Sequence, residues 1–435
     1  MTIERGFLEQ WKFLCPQAFT PFVPFVPDNA FIDGQLKLMR PAGITSWDTF
    51  LQIQFVQPIN RLFELGAQVV TLGFDNYRLV PLSKAPTQRM RTKKIRCVPW
   101  NADSELPPSI PEHYEAIIFN RVFKSKVCHF VASNVADRVQ LGNGRRLVID
   151  WNNLPLEFTA EEDEPRPRGG FQCVGECDCK WVQHLEPGRN MAVESIDGDY
   201  CAIAMLQLEK SQKEHTASNN SHLVPRIAIR RLRLKLTGPG SETINNRNAN
   251  KYEWVDCNLL LEAIAKHVQH KCTIPAQFAG REFELMAYVV ALTGCDFVEG
   301  INGVGPKTMW KWLPTMLTNL AQTYDEHRGE FDSSGVANAV VLPVLHSMYT
   351  KQVRSRPKTL TELLHEVHAA AGTHALTSRQ KSRMPSASTV ICAIRNANWT
   401  LLYWKDCPSA PDPVQTVYGF RRVRNNVERD VHATL

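Results

Sequence analysis

The stretch AQVVTLGFDN, Ala67 to Asn76, decides the fold. Its centre is an apolar, β-branched run, and it closes on Asp75 just past a glycine. Such runs read as strands buried on both faces. Upstream, Ala30-Phe31-Ile32-Asp33-Gly34 has the same form, a short apolar run ending in an acid. Between the two, Thr49 to Leu65 is amphipathic and reads as a helix. Strand, helix, strand predicts an α/β unit with a mainly parallel central sheet, because parallel neighbours need a crossover. In open sheets of this kind, sites lie outside the carboxyl ends of the strands. Asp33 and Asp75 fall there.

Outward from this unit, the chain turns basic after Asp75, with Lys84, Arg89, Arg91, Lys93, Lys94 and Arg96. A mostly helical region follows from Pro111 to Asp137, then a linker rich in Pro, acids and Gly from Thr159 to Gly170. Another helix begins near Gly175, and a strand ends at Ile196-Asp197-Gly198-Asp199. Glu209 to Pro225 and Thr237 to Ala249 are polar and read as loops. Ile227 to Leu236 lies between them and alternates basic and apolar from Arg231, as a strand with a basic face does. A solvated edge strand, its charges blunting aggregation, is the favoured reading. The last third, from about Tyr324, has a Ser/Gly loop at Phe331 to Gly335, a helix at Leu360 to Ala371, a polar loop near Ser378 to Ser388 and a helix at Thr389 to Trp404. No site is read there. The expected division is 1–205, 206–320 and 321–435, the last of unassigned role.

Composition sets the outer limits. The 435 residues make one large or two to three smaller domains, at roughly 100–200 residues each. Apolar residues make up 43%, enough for a real core, and the net charge of +6 is compatible with a polyanionic partner. Twelve scattered cysteines in a long chain read as reduced thiols of an intracellular protein. No run of about 18 apolar residues is present, so no membrane span is expected. The opening MTIERGFLEQWKFL carries acids early and lacks a long apolar core, so no secretory signal is expected.

A second motif is TGCDFVEGINGVGPKTMWKWL, Thr293 to Leu313. Asp296 precedes a hairpin with glycines at 300, 303 and 305, and Pro306-Lys307 open a helix. Glycines admit close approach of another backbone. A helix start offers unpaired N–H groups to an anion, and Lys307 adds charge. From these residues alone, a phosphate grip and an ordinary helix-hairpin-helix connector with a structural acid stand level. Trp310 and Trp312 on the following helix read as core.

The acids at strand ends and helix starts are Asp33, Asp75, Glu176 and Asp178 in GECDCK, Asp197 and Asp199 in SIDGDY, and Asp296. Each alone reads as a turn or a cap. Gathered together they would repel one another and demand cations. Oxygen ligands of this kind suit Mg²⁺ or Mn²⁺. Two such ions about 4 Å apart activate a water and stabilise the leaving oxygen in phosphodiester hydrolysis. Spacing alone does not say whether the seven converge. Cys173, Cys177 and Cys179 lack a zinc-site spacing and read as packing thiols.

The ordered set resembles the flap endonuclease family of XPG-type, structure-specific 5′ nucleases. The shared order is a strand-end Asp, an FD closing the next strand, a basic helix, GExD, a D-x-D about twenty residues on, and GCD leading into G-x-x-G-V-G-P-K. The resemblance covers roughly residues 30–312, in blocks. It implies a PIN-like 5′ nuclease fold with a helical arch insert at about 84–165 and a helix-hairpin-helix at 290–313. It implies two Mg²⁺, replaceable by Mn²⁺, held by Asp33, Asp75, Glu176 and Asp178 on one side and by Asp197, Asp199 and Asp296 on the other. Lys84 and Arg91, seven residues apart as in the family, would be the catalytic cations on the scissile phosphate. Gly303, Gly305 and Lys307, with a K⁺, would hold duplex phosphates. The implied partner is DNA with a 5′ flap, nick or junction, met by a monomer in the nucleus or at a viral replication site, in replication, repair or recombination.

The sequence also departs from the family. It opens Met1-Thr2 rather than Met-Gly, and Met39 replaces the usual aromatic six residues after the first Asp. Two inter-motif segments are longer than usual, and no sliding-clamp peptide is evident. These departures suit a divergent member, such as a viral one. They leave open a 5′→3′ exonuclease, a junction resolvase or an RNA endonuclease of the same fold, and, in another class, a silent scaffold that holds branched DNA.

Overall fold

A computed structural model of the chain describes residues 5–76, 100–101, 103–151, 154–162, 164–172, 175–217, 220–232, 252–295, 298–301, 304–349, 357–372, 385–406, 418, 420–423 and 426–429. The molecule is α/β, with a large mixed sheet at its centre. Among the described residues this sheet has nine strands: β1 (Phe19–Thr20), β2 (Asn29–Asp33), β3 (Val69–Gly73), β4 (Arg146–Asp150), β5 (Leu156–Thr159), β6 (Arg166–Pro167), β7 (Met191–Glu194), β8 (Ile227–Leu232) and β9 (Tyr252–Asp256). Their order is β1-β9-β8-β7-β2-β3-β4-β5-β6.

The middle five, β8-β7-β2-β3-β4, run parallel. Antiparallel β9 and β1 extend one edge, and antiparallel β5 and β6 the other. Helices cover both faces, which is why β2, β3 and β7 are apolar almost throughout and fully buried. Side chains alternate across the sheet. Phe31 and Val193 face a core built with the helices Arg5–Leu14, Asp199–Ala217, Cys257–Lys271, Glu282–Leu292, Pro306–Ala321 and Ala387–Asp406. Ala30, Ile32 and Ala192 face a second core, with Phe50, Phe55 and Phe63 of the helical run 47–64 and Phe123 and Val127 of Arg121–Asn134.

The chain leaves β2 for β3 and β4, then returns to β7 on the opposite side of β2. This reversal makes the β2/β7 junction the topological switch point, where a crevice opens outside the carboxyl ends of the strands. Asp33 ends β2 there, and Ser195-Ile196-Asp197 leave β7 there.

Several local expectations change. β4 was not anticipated: Arg146–Asp150 is apolar at its centre but short, and it lies beside a long polar segment. The stretch from Glu209 is helix as far as Ala217, because the polar end continues the turns begun by the buried half. The strand before the D-x-D pair ends at Glu194, and Asp199 already opens a helix. Ile227–Leu232 is an interior strand rather than an edge, since β7 and β9 flank it on either side. The linker 159–170 contributes β6 to the sheet edge. The stretch 237–249 lies outside the described residues, as does 378–384 of the last polar loop. Among the described residues, no helix is long and apolar enough to cross a membrane.

Candidate functional site

Six of the seven acids are described, and all six lie at the carboxyl ends of strands or at the first turns of the helices beside them. Asp33 is buried at the end of β2, where its Oδ1 accepts from Gln35 N at 3.0 Å and so caps the short helix Gly34–Lys37. Its Oδ2 accepts from the Tyr200 hydroxyl at 3.0 Å and from Ser195 Oγ at 3.4 Å. Asp197 accepts from Asp199 N at 3.0 Å and is itself held through its N–H on Ser195 Oγ at 3.2 Å. Ser195 thus links the acid leaving β7 to the acid ending β2.

The GECDCK segment is fastened to the end of β3. Asp75 Oδ1 accepts from Cys177 N at 2.9 Å, and Asn76 N donates to Gly175 O at 2.7 Å. Glu176 occupies the cap position and Asp178 the first turn of the helix Cys177–Lys180, and both are buried. Gly73 makes this docking possible, because a Cβ there would lie 3.0 Å from Cys177 Sγ and 2.3 Å from the Phe31 ring. A third tie comes from β4. Asp150 accepts from Lys180 Nζ at 2.7 Å and meets His184 Nε2 at 3.0 Å.

The electrostatics separate these acids into two kinds. Burial pushes Asp150 and Glu194 up, but their partners more than offset it and both are held below the usual carboxylate range: the His184 hydrogen bond and the Lys180 charge act on Asp150, and the charges of Lys37, Arg230 and Arg61 on Glu194. Asp33 has the opposite surroundings. Burial, and then the charges of Asp75 and Asp197, push it up to about 6 against the hydrogen bonds of Tyr200 and Gln35. The Cys177 thiol is pushed well above its ordinary range by burial and by Asp33 and Asp75. Tyr200 rises through burial and the charges of Asp33, Cys177 and Asp178. Asp33, Asp75, Asp178 and Asp197 therefore act on one small region, around Tyr200 and Cys177.

This donor set fits a hard divalent cation in its chemistry, since it is all carboxylate oxygen and Asp75 and Asp197 raise the proton affinity of Asp33. Among the described residues, no three His, Cys, Asp or Glu side chains are drawn close enough to enclose one ion. Asp296 lies outside the described residues, as do Lys84, Arg91 and Gly303. Cys177 and Cys179 are buried in the core, as packing thiols are.

The glycine-rich stretch joins the helices Glu282–Leu292 and Pro306–Ala321. Val298, Ile301 and Val304 are buried in the core. Gly305 caps the second helix, with no described residue within 4 Å of where a Cβ would stand, and Lys307 is exposed beside it. Trp310 and Trp312 pack partly buried against the core.

Sequence reading passed over Tyr200, Ser195 and Glu194. The first two sit beside named acids, and their hydroxyls are the only signal. Glu194 carried a clearer one, an acid inside the apolar run MAVE of a buried strand. No protein-family model matches the chain, and no curated protein matches its sequence.

Proposed function

We propose that the protein is a metal-dependent, structure-specific 5′ nuclease of flap endonuclease type, with a PIN-like fold, that hydrolyses DNA phosphodiesters near junctions of single and double strands. One observation carries the reading: Asp33 is buried at the switch point and raised to about 6 by burial, Asp75 and Asp197, acids that reach it from two other strand ends. Glu194, equally buried, answers to Lys37, Arg230 and Arg61, whereas the charges that act most on Asp33 are those of other carboxylates. Such crowding suits a site completed by cations from solution.

Asp33, Asp75, Glu176 and Asp178 on one side, and Asp197, Asp199 and Asp296 on the other, would hold two Mg²⁺. When bound, such a pair activates water and stabilises the leaving oxygen. The protein's own groups orient the carboxylates: Tyr200 and Ser195 fix Asp33, and Cys177 N fixes Asp75. Lys84 and Arg91 offset charge developing on the scissile phosphate. Gly303, Gly305 and Lys307, with a K⁺, grip duplex backbone without reading its sequence.

The test is cleavage of end-labelled 5′-flap, nicked, blunt and single-stranded DNA in Mg²⁺, with Asp197→Ala as control. Cutting at the flap junction that the substitution abolishes supports the reading. Stepwise release from nicks or ends moves it to an exonuclease. Tight junction binding with no cutting in any arm overturns it in favour of a scaffold.

A further inference from the structure

The acids occupy one face of the sheet at its carboxyl end, since Asp33 follows Phe31 and Ile32 in strict alternation. The other face carries a group of opposite sign at the same end. Glu194 of β7 is buried there and forms ion pairs with Lys37 Nζ and Arg230 Nη1, each at 3.0 Å, and with Arg61. Among the described residues, it is the one carboxylate that pairs with these three. One cation would suffice to compensate it. Three leave two positive charges in excess, held at a fixed place by a carboxylate that cannot move into solvent.

The excess charge opens onto space. A cavity of about 370 Å³ is lined by Lys37, Met39, Arg40, Ile196, Arg230 and Tyr252 among others. A second, of about 590 Å³, is lined by Phe22, Val26, Arg61, Arg230, Tyr252 and Trp254 among others. Arg230 and Tyr252 line both, so the two cavities adjoin at these side chains. Arg230 lies over the Tyr252 ring at 4.3 Å, a contact that ties the guanidinium to the ring both cavities share. Arg40, a fourth cation on the wall, is offset by Glu115. Exposed apolar side chains line the path: Met39 and Ile196 in the smaller cavity, Phe22 and Val26 in the larger.

We propose that Lys37, Arg61 and Arg230 form a phosphate site for the nucleic-acid strand that passes the acid group, with the adjoining cavities as its bed. The inference rests on the nuclease reading and deepens it, because it assigns the path of the strand beyond the cut. A strand leaving the acids on one face crosses the carboxyl ends of β2 and β7 and meets the cations on the other. Charge selects the occupant: the lining of the two cavities is net positive, and its exposed apolar side chains suit sugars and bases rather than a bare inorganic ion.

Two probes test this in EDTA, where nothing is cut: a fluorescein-labelled 5′-flap duplex followed by anisotropy over a salt series, and thymidine 3′,5′-bisphosphate followed by calorimetry. The variants are Arg61→Ala, whose side chain is 44% exposed and leaves two cations on Glu194, and the double variant Lys37→Gln/Arg61→Ala. The expected result is weaker binding of both probes, and a salt slope shallower by about one for the single and about two for the double variant. If the double variant binds both probes with wild-type affinity and slope, the cations serve only Glu194 and the inference falls, while the nuclease reading is untouched. If the wild type binds the bisphosphate through these residues but no flap duplex, the nucleic-acid occupant is wrong and the nuclease reading falls with it.

Discussion

Asp33 is held by two hydroxyls on one oxygen and a backbone N–H on the other, and is pressed by the charges of Asp75 and Asp197. Geometry that suits an incoming cation is unfavourable without one, because the ionised group is desolvated and repelled together. Asp33→Asn keeps the shape, can still accept from Tyr200, and removes the charge. In EDTA at pH 8 it should therefore raise the free energy of urea unfolding above that of the wild type, by on the order of 1–2 kcal/mol, while ending Mg²⁺-dependent cleavage. Mg²⁺ should raise the melting temperature of the wild type and leave that of Asp33→Asn nearly unmoved. A variant that is less stable in EDTA and still gains from Mg²⁺ would show Asp33 to be a structural cap and nothing more.

At the scale of elements, the glycine-rich turn separates two uses of one residue type. A Cβ at Gly300 would lie 2.1 Å from the Thr293 carbonyl oxygen, so this glycine answers to the protein's own backbone. Among the described residues, a Cβ at Gly305 meets nothing within 4 Å. Gly300→Ala should destabilise by about 3 kcal/mol or more, as an unavoidable backbone clash does. Gly305→Ala should melt like the wild type and weaken duplex binding several-fold, because the added methyl stands where a phosphate would approach. Melting curves and duplex anisotropy on the two variants separate the roles, and equal duplex affinity for Gly305→Ala and wild type would remove Gly305 from the interface. The glycine density was legible in the sequence; the split between the two was not, because it depends on which turn of chain lies across each position. The same limit applies to strands and helices. β2 and β3 could be read from their own composition, since burial on both faces leaves an apolar signature. β8 misled because its basic residues answer to a distant partner: Arg230 pairs with Glu194 on the neighbouring strand, which its own alternation does not reveal. Asp33 and Asp75 could be placed at strand ends, but nothing in their spacing shows Ser195 and Tyr200 joining Asp33 to β7 and its following helix.

Across the whole molecule, the helix Asp199–Ala217 ties the acid end of the sheet to the C-terminal third. It begins with Asp199 and Tyr200 at the site, and near its middle Gln207 donates to Trp404 O at 2.9 Å and Lys405 O at 3.1 Å. Next on the same helix, Glu209 accepts from Phe283 N at 2.6 Å and Glu284 N at 3.0 Å, and so caps the helix Glu282–Leu292. Glu284 is paired in turn with Arg281 at 2.8 Å and Lys405 at 3.0 Å, and Glu282 accepts from Gln269 at 2.7 Å. Burial, and then the charges of Glu284 and Glu282, push Glu209 up to about 8, against the two N–H bonds that favour its ionised form. A carboxyl raised in the folded state binds its proton more tightly there than in the unfolded chain. Its contribution to stability is complete below the unfolded value near 4.5 and is lost as pH rises through about 8. The wild type should therefore lose on the order of several kcal/mol of stability through this group between pH 5 and 9. Glu209→Gln cannot ionise, and its amide accepts one of the two N–H groups instead of both. It should be somewhat less stable than the wild type at pH 5, cross it between pH 6 and 8, and exceed it at pH 9. Urea denaturation at the three pH values measures the difference directly, and curves that stay parallel from pH 5 to 9 would mean that the helix N–H groups hold Glu209 ionised throughout.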